Sequence, residues 1–377
     1  MHLSFREKIK VTLDEALEIC NRNRKKWVKG IPIRAQIGVY NLFDYRNTNK
    51  DSEMVFSNYW EAGFGAGIFA LCYEITKDKK YLERIATMNA SLDYKKMERK
   101  QSMGLLTIPT YYANYSLLHK EEDLKKILAA SDMLLGQFTE KGEYFRCYED
   151  YTNFAVDCIV QLSLMHVATK LSGDDKYYKA AEKHIKTMNE TVFRSDGSTY
   201  QIYWIDNNGK RVHGSTGQGH SDESCWARGQ AWAMFGYAIH YGYTKNPDYL
   251  HFYKIAANYF FDNLGENNLP KWDLIFKSNE EPDDSSAAVI AVCAALEALR
   301  HAPKDKEVCK LKEKADMLMC TVIDTCAISF DDYIDGLILR GTDVHREGST
   351  DNCLIYGDYF YLEALARYLD YSNGFWE

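Results

Sequence analysis

One acidic residue stands inside an otherwise apolar stretch of the chain. Asp157 lies in segment 154–162, where most of its neighbours are hydrophobic. A carboxylate in this setting has two interpretations. It is either an acid at the start of a helix, favoured by the helix dipole, or a half-buried acid suited to proton donation in a cleft. The residues alone leave both interpretations open.

A second group of residues places a cation between two large aromatic rings. Trp226, Arg228 and Trp232 fall in the first two turns of a predicted helix, where backbone N–H groups also point outward. A guanidinium in this position could bind a carboxylate through two hydrogen bonds. The alternative is a pair of core tryptophans with the arginine stacked on them.

The remaining polar motifs give weaker signals. The glycine-rich segment 214–219 lacks the spacing of a nucleotide-binding loop, and a flexible loop facing a substrate is the better interpretation. The serine pair 285–286 follows two aspartates and indicates helix capping. His213, His220 and His345 show no catalytic or metal-binding pattern, and we expect each to be a solvated polar residue.

Helical periodicity recurs along the whole chain and predicts twelve helices, which form six hairpins. The predicted helices cover about 12–28, 59–76, 79–95, 103–119, 122–138, 152–171, 175–192, 225–243, 247–263, 284–302, 305–325 and 354–371. Repeated hairpins of this kind form either an open solenoid or a closed ring. We expect a closed (α/α)6 barrel, because long polar segments separate the hairpins on one side.

The connections between helices carry further information. Segments 76–81, 172–177 and 244–249 each combine a helix-ending turn with an Asp or Asn that can cap the next helix. Segments 197–224 and 331–351 are too long to be simple turns, and loops of this size are usually functional. Within the first of them, alternation followed by Asn-Gly predicts a small β-hairpin over the cleft.

Composition limits the class of protein. Hydrophobic residues make up 46% of the chain, and with only 6 prolines and no linker-like stretch we expect one domain over residues 1–377. The 28 Tyr and 7 Trp suit a sugar-binding cleft as well as a core. The net charge of −8 argues against a nucleic-acid partner, although an anionic small substrate remains compatible with a local arginine.

The location and binding partners can also be predicted in outline. The chain starts without the apolar run of a signal peptide, and no stretch is long enough to span a membrane. The ten cysteines form no zinc-binding pattern, so we expect reduced thiols in a cytoplasmic protein. We expect no cofactor, no metal and no membrane partner, and a monomer or a weak homo-oligomer.

Several motifs together resemble the unsaturated glucuronyl hydrolases, glycoside hydrolase family 88. The resemblance runs over nearly the whole chain, and the motifs at 226–232 and 357–365 are specific when taken together. The matching segments are 60–64, 71–74, 156–158, 196–200, 218–219, 226–232, 272–273, 284–287 and 357–365.

This resemblance implies an (α/α)6 barrel and an unusual reaction. Enzymes of the family act on oligosaccharides that end in a 4,5-unsaturated uronic acid, and they hydrate its vinyl ether so that the sugar is released. By resemblance, Asp157 is the general acid and base. The residues implied to surround the uronate are Trp60, Gln201, Gly214, Thr216, Gln218, Trp226, Arg228, Trp232 and Ser349.

The chain departs from the family pattern at two positions. Ser102 stands where the family has a second catalytic Asp, and Gln201 replaces a cleft histidine. A serine hydroxyl can hydrogen-bond a sugar but supplies no negative charge. Glu98 or Asp93 could supply a carboxylate instead, and Ser102 could simply cap the helix that follows it.

Three functions therefore remain open from the sequence. The first is an active uronyl hydrolase that depends on Asp157 and Arg228. The second is a sugar-binding pseudoenzyme, suggested by Ser102 and Gln201. The third is a related enzyme acting on unsaturated rhamnogalacturonyl substrates, which the fold alone does not exclude.

Overall fold

The computed structural model describes most of the chain. The described residues are 4–28, 30–36, 38–43, 59–93, 95, 100–148, 151–330 and 333–377. Glu98, one of the alternative carboxylates, lies outside them. No helix in the described part is long and apolar enough to cross a membrane.

In the described part of the chain, six helices, or runs of helical segments, form an inner ring, in which each contacts the next and the last contacts the first. They are α2 (Ala62–Thr76), α4 (Met103–Thr107, the π-helical turn Ile108–Tyr112 and Ala113–Leu118), α6 (Cys158–Gln161 and Ser163–Ser172), α8 (Ala227–Thr244), α10 (Ser285–His301) and α12 (Ile355–Tyr368). Because the ring closes, the expected helical barrel is confirmed, and the open solenoid is excluded.

Among the residues that the structure describes, six outer helices alternate with the inner ones along the chain. They are α1 (Phe5–Lys26), α3 (Lys80–Ser91), α5 (Glu121–Leu135), α7 (Lys176–Thr191), α9 (Pro247–Asp262) and α11 (Lys306–Thr325). The inner helices α8 and α10 are buried almost all round, whereas each outer helix buries only one face. This difference is expected, because an inner helix touches neighbours on every side.

The inner helices α4 and α6 approach each other closely near the expected site, and this approach requires a glycine at position 104. A Cβ built on Gly104 would lie 2.4 Å from the backbone oxygen of Gln161. The side chain of Gln161 also accepts a hydrogen bond from the backbone N–H of Leu105, at 2.8 Å. The start of α4 is therefore held directly against the first segment of α6.

The three repeated connectors have the predicted structure. Each preceding helix ends in the left-handed conformation, at Lys77, Gly173 and Lys245 respectively. The next residue, an Asp or Asn, then accepts a hydrogen bond at 3.0 Å from a backbone N–H at the start of the following helix. The same local chemistry thus turns the chain from an inner to an outer helix three times.

Short antiparallel sheets complete the described fold. Strands β1 (Ile31–Gln36) and β2 (Val39–Phe43) pair, as do β3 (Phe138–Thr139) and β4 (Tyr144–Phe145). A three-stranded sheet contains β5 (Asn153–Ala155), β6 (Ile202–Ile205) and β7 (Arg211–Ser215) in that order. Strands β6 and β7 are the predicted hairpin, and Gly209 at φ +87° lies in its turn.

Two predicted boundaries were wrong. The helix predicted at 152–171 starts only at Cys158, because the preceding residues form β5 and pair with β6. The first helix starts at Phe5 instead of residue 12, because Ser4 and Glu7 form a reciprocal cap at its N-terminus. Local apolar periodicity does not show either effect, since one depends on a distant strand and the other on polar residues.

Candidate active site

A cleft opens at one end of the inner ring. Its cavity volume is about 270 Å³. The residues that line it come from six separate parts of the chain and are Trp60, Glu61, Tyr148, Asp157, Gly217, Gln218, Trp226, Arg228, Trp232, Asp343, Val344, Arg346 and Glu347.

Asp157 is placed in this cleft by the junction between strand and helix. The backbone N–H of Val156 donates to the carbonyl oxygen of Gln201 at 2.8 Å, which fixes the end of β5 against β6. The helical segment then starts at Cys158, and the Asp157 side chain does not cap it. The carboxylate is half-buried and lines the cleft. Asp157 therefore stands at the start of a helix and also lines the cleft, so both interpretations of this residue agree with its position.

Arg228 lines the same cleft, but its guanidinium is already held by the protein. Nη1 lies 2.6 Å from both Asp284 Oδ2 and the carbonyl oxygen of Thr342. Nη2 donates to the carbonyl oxygen of Asp343 at 2.8 Å. Burial opposes the charge, yet the acidic groups of Tyr356, Asp284 and Asp343 raise the pKa of Arg228 above its usual value. Arg228 is thus a permanently charged anchor and only in part a group that can face a ligand.

Aromatic rings form one wall of the cleft. The Arg228 guanidinium lies over the ring of Trp226 at 4.5 Å and over that of Tyr356 at 5.3 Å. Trp60 packs on Tyr356 with ring centroids 5.2 Å apart, and Trp232 contacts Phe360 edge-on deeper in the ring. Both interpretations of the 226–232 motif therefore apply in part, since the arginine is stacked and also reaches the cleft.

The loop after β7 is held by Gln201. Its Oε1 accepts hydrogen bonds from Thr216 Oγ1 at 2.9 Å and from the backbone N–H groups of Gly217 and Gln218 at 2.6 Å each. Its Nε2 donates to Gln218 Oε1 at 3.0 Å. Gly217 and Gln218 line the cleft, whereas Gln201 and Thr216 lie behind them. Gln201 and Thr216 therefore position the loop that carries Gly217 and Gln218.

Two other expected binding residues also lie behind the cleft surface. Gly214 packs under Tyr200, whose ring atoms would come within 2.1 Å of an added Cβ. The hydroxyl of Ser349 accepts a hydrogen bond from Asn352 Nδ2 at 3.1 Å, and its carbonyl oxygen accepts one from the backbone N–H of Asp343 at 2.9 Å. Both residues shape loops that reach the cleft.

Ser102 does not take the place of a cleft carboxylate. It is fully buried, is not among the residues lining the cleft, and its hydroxyl has no hydrogen-bond partner in the described part of the chain. It stands at the N-cap position of Met103–Thr107 but its side chain caps nothing, so the capping interpretation of Ser102 is wrong. Asp93 accepts a hydrogen bond from the backbone N–H of Lys95 at 3.2 Å and does not line the cleft either.

The three loop histidines lie outside the cleft lining. His213 and His220 are exposed, as predicted. His345 is instead stacked on Trp272 with ring centroids 4.0 Å apart and planes almost parallel. Asp284 caps α10 by accepting hydrogen bonds from the backbone N–H groups of Ser286 and Ala287, which confirms the predicted capping role of this motif.

Several cleft residues were missed by sequence reasoning. Glu61 adjoins the recognised Trp60, and Tyr148 precedes Asp157 by nine residues, so both lay close to residues already considered. Asp343, Arg346 and Glu347 fall in the long loop predicted to be functional, but no spacing signal marked them individually. Only the folding of this loop over the start of α8 brings them to Arg228.

One cluster of side chains of the kinds that bind metal ions lies far from the cleft. Donor atoms of Glu297, His301 and Glu377 lie within 4.8 Å of one another. Arg367 and Arg300 already pair with these carboxylates. Glu297 sits near the end of α10, whose other end starts beside the cleft, so the two regions are separated by about 20 Å of helix. The cluster therefore has no part in the cleft chemistry.

Comparison with known proteins identifies the family. The profile of Glycosyl Hydrolase Family 88 matches residues 39–260. The unsaturated chondroitin disaccharide hydrolase of Streptococcus pneumoniae is 31% identical over 84% of this chain and 83% of its own. The unsaturated glucuronyl hydrolase of Bacillus sp. (strain GL1) is 31% identical over 97% of both chains.

Solved structures agree with this comparison. The crystal structure of the unsaturated glucuronyl hydrolase from Bacillus sp. GL1 has a TM-score of 0.90, with 30% identity and 98% of both chains covered. That of the enzyme from Streptococcus agalactiae has a TM-score of 0.89, with 27% identity over 100% of this chain and 95% of the other. The chain is a hydrolase acting on glycosyl bonds and belongs to Glycosyl Hydrolase Family 88.

Proposed function

We propose that this enzyme releases a 4,5-unsaturated uronic acid from the end of lyase-generated oligosaccharides, with Asp157 as its general acid and base. The observation that carries the proposal is the position of Asp157, half-buried at the wall of a cleft that also contains Arg228 and three tryptophans. Relatives named for unsaturated chondroitin and glucuronyl substrates support the substrate class.

The proposed reaction is hydration of a vinyl ether. Asp157 gives a proton to C4 of the unsaturated ring, and water adds at C5, while the carboxylate takes up a proton from that water. The resulting hemiketal opens, and the sugar is released. Trp60, Trp226 and Trp232 provide apolar faces against which the uronate ring packs.

Two arginines in the described part of the chain line the cleft, and they differ in how far their charge is available to an anionic substrate. Arg228 is neutralised by the buried Asp284, and Asp343 lies 3.7 Å from its other nitrogen. Arg346 also lines the cleft, is exposed, and forms no ion pair with any residue that the structure describes. We assign the attraction of the uronate carboxylate to Arg346, with Arg228 orienting it from behind.

The residues behind the surface have a positioning role in this proposal. Gln201, Thr216, Gly214 and Ser349 hold the loops that carry the contacting groups, whereas Gln218 contacts the substrate directly. We assign no catalytic role to Ser102. We also propose a cytoplasmic enzyme, because its ten cysteines are free and eight of them are buried. A monomer or weak homo-oligomer stays a prediction from the sequence.

The test uses unsaturated chondroitin, hyaluronan and glucuronyl disaccharides, and follows the loss of absorbance of the double bond. We expect turnover by the parent, and a loss of about 10²–10⁴-fold in kcat for Asp157→Asn. Asp248→Asn, at an exposed acid on α9, is the matched control and should retain full activity. If Asp157→Asn matches the parent, the mechanism is wrong. If the parent binds these sugars without turnover, the protein is a pseudoenzyme.

A further inference from the structure

A second depression, the side groove, lies next to the cleft. Its volume is about 370 Å³, and the residues that define it are Cys147, Tyr148, Tyr151, Asn153, Ala155, Gln201, Ile202 and Trp204. Asn153 pairs with Trp204, and Ala155 pairs with Ile202, across β5 and β6. Directly paired residues point to the same side of a sheet, so the floor of the side groove is one face of this sheet.

The side groove is continuous with the cleft. Tyr148 lines both depressions. Gln201 lines the side groove and holds Gln218, which lines the cleft. The strand that forms the floor ends at Ala155, two residues before Asp157. A molecule bound at Asp157 can therefore extend over Tyr148 into the side groove.

The chemistry of the side groove differs from that of the cleft. Among the described residues, the cleft lining carries six charged side chains, those of Glu61, Asp157, Arg228, Asp343, Arg346 and Glu347. Every side-groove residue that the structure describes is uncharged. A sulfated or carboxylated sugar would find no cation among these described residues to offset its lost hydration, whereas a neutral ring suits aromatic faces with polar groups beside them.

Polar and aromatic groups in the side groove are already oriented. Trp204 Nε1 donates to Ser215 Oγ at 2.9 Å, which fixes the indole ring. Tyr151 is 49% exposed and packs edge-on against Tyr148. Asn153 is only 5% exposed, and its Oδ1 has no hydrogen-bond partner in the described protein. Because Oδ1 of Asn153 is enclosed by the protein, the groups that a sugar can reach here are the aromatic rings.

We propose that the side groove binds neutral sugars of the leaving group, beyond the sugar joined directly to the uronate. This inference rests on the proposed function. An unsaturated uronate is the terminal residue, so the oligosaccharide extends from it in one direction only. The sugar attached to it stays near the rim of the cleft because the double bond must face Asp157. The next ring is the first that can cross Tyr148.

The experiment compares KM values for two substrates. One is an unsaturated disaccharide. The other is the tetrasaccharide dGlcA-Glc-Rha-Glc, in which dGlcA is the unsaturated glucuronate and the three sugars that follow it are neutral. For Trp204→Ala and for Tyr151→Ala we expect the KM for the tetrasaccharide to rise about five- to tenfold with little change in kcat. The KM for the disaccharide should stay within about twofold. Tyr371→Ala removes an equally exposed tyrosine (48%) at the end of the chain and should change neither value.

The outcomes separate this inference from the proposed function. Equal KM changes on both substrates, or no change in either variant, would overturn the side groove as a sugar site. If the parent hydrolyses no unsaturated substrate, the proposed function fails, and the side groove is then tested by calorimetry with saturated Glc-Rha-Glc. The inference is supported if the parent and Tyr371→Ala bind this sugar and if Tyr151→Ala and Trp204→Ala do not. It is rejected if the parent does not bind the sugar.

Discussion

Arg228 and Asp284 form an almost completely buried ion pair beside the cleft, with Nη1 and Oδ2 2.6 Å apart. The pair joins the starts of α8 and α10, and the same aspartate caps α10. Because Arg228 also binds the carbonyl oxygens of Thr342 and Asp343, it ties a third segment to these helix starts. The shape of the cleft therefore depends on one guanidinium.

Removing Arg228 should destabilise the fold as well as impair activity. Arg228→Ala leaves the buried Asp284 without its partner, and loss of one member of a buried pair typically costs about 3–5 kcal/mol. Denaturant unfolding measures this cost. Lys179→Ala breaks an exposed pair with Asp175 and should cost less than about 1 kcal/mol. Similar costs for the two variants would contradict the anchoring role.

Removing the charge of Arg346 should weaken substrate binding without affecting stability. We expect Arg346→Gln to raise the KM for an unsaturated disaccharide about tenfold, because an exposed cation attracts the uronate across the cleft mouth. The effect should shrink in high salt, since exposed charges are screened. Lys210→Gln, at the exposed tip of the β6–β7 hairpin, is the control. A KM that is the same for both variants at low salt would reject the assignment.

Truncating Gln201 should loosen the loop after β7. Gln201→Ala removes the acceptor for three hydrogen bonds, so Gly217 and Gln218 lose their fixed positions at the cleft. We expect a rise in KM of about tenfold, equivalent to about 1.4 kcal/mol, and faster proteolysis within 214–219. Asn207→Ala in the exposed hairpin turn should change neither. An unchanged loop would show that other contacts hold it.

Ser102 should be dispensable. Its buried hydroxyl has no partner in the described protein, so removing it costs no hydrogen bond and leaves only a small void. Ser102→Ala should therefore keep kcat within about twofold and change the unfolding free energy by less than about 1 kcal/mol. Activity assays and thermal unfolding check both values. A large loss of kcat at unchanged stability would restore a catalytic role for this position.

Stability should fall as the pH rises because of Asp358. Burial raises the pKa of this carboxyl from 3.8 to about 7, against hydrogen bonds from Tyr40 and the Ile338 backbone that lower it. At a pH between 3.8 and about 7, the folded state keeps the Asp358 proton and the unfolded state releases it. The contribution of this proton to the free energy of unfolding is therefore lost as the pH rises towards 7. Asp358→Asn should make Tm depend less on pH between about pH 4 and pH 7, whereas Asp248→Asn should leave this dependence unchanged. Parallel Tm profiles would contradict this.

Much of the fold could be predicted because its signals are local. Periodicity of apolar residues identified the helices, and the Asp or Asn in each repeated connector marked where the next helix begins. The prediction failed at β5, where three residues form a strand only because β6 lies beside them. A short apolar run does not distinguish these two states until its partner is known.

The sequence by itself determined the helix order, the connectors, the β6–β7 hairpin and the motifs that place Asp157 and Arg228 in one cleft. Only the tertiary structure decided that Arg228 is bound by Asp284, that Gln201 holds a loop, and that Ser102 lies behind the surface. These outcomes depend on contacts between residues far apart in the chain, such as Arg228 and Asp343 at a separation of 115 positions. Such contacts decide which polar groups remain open to a substrate, because a donor already bonded within the protein has little left to offer.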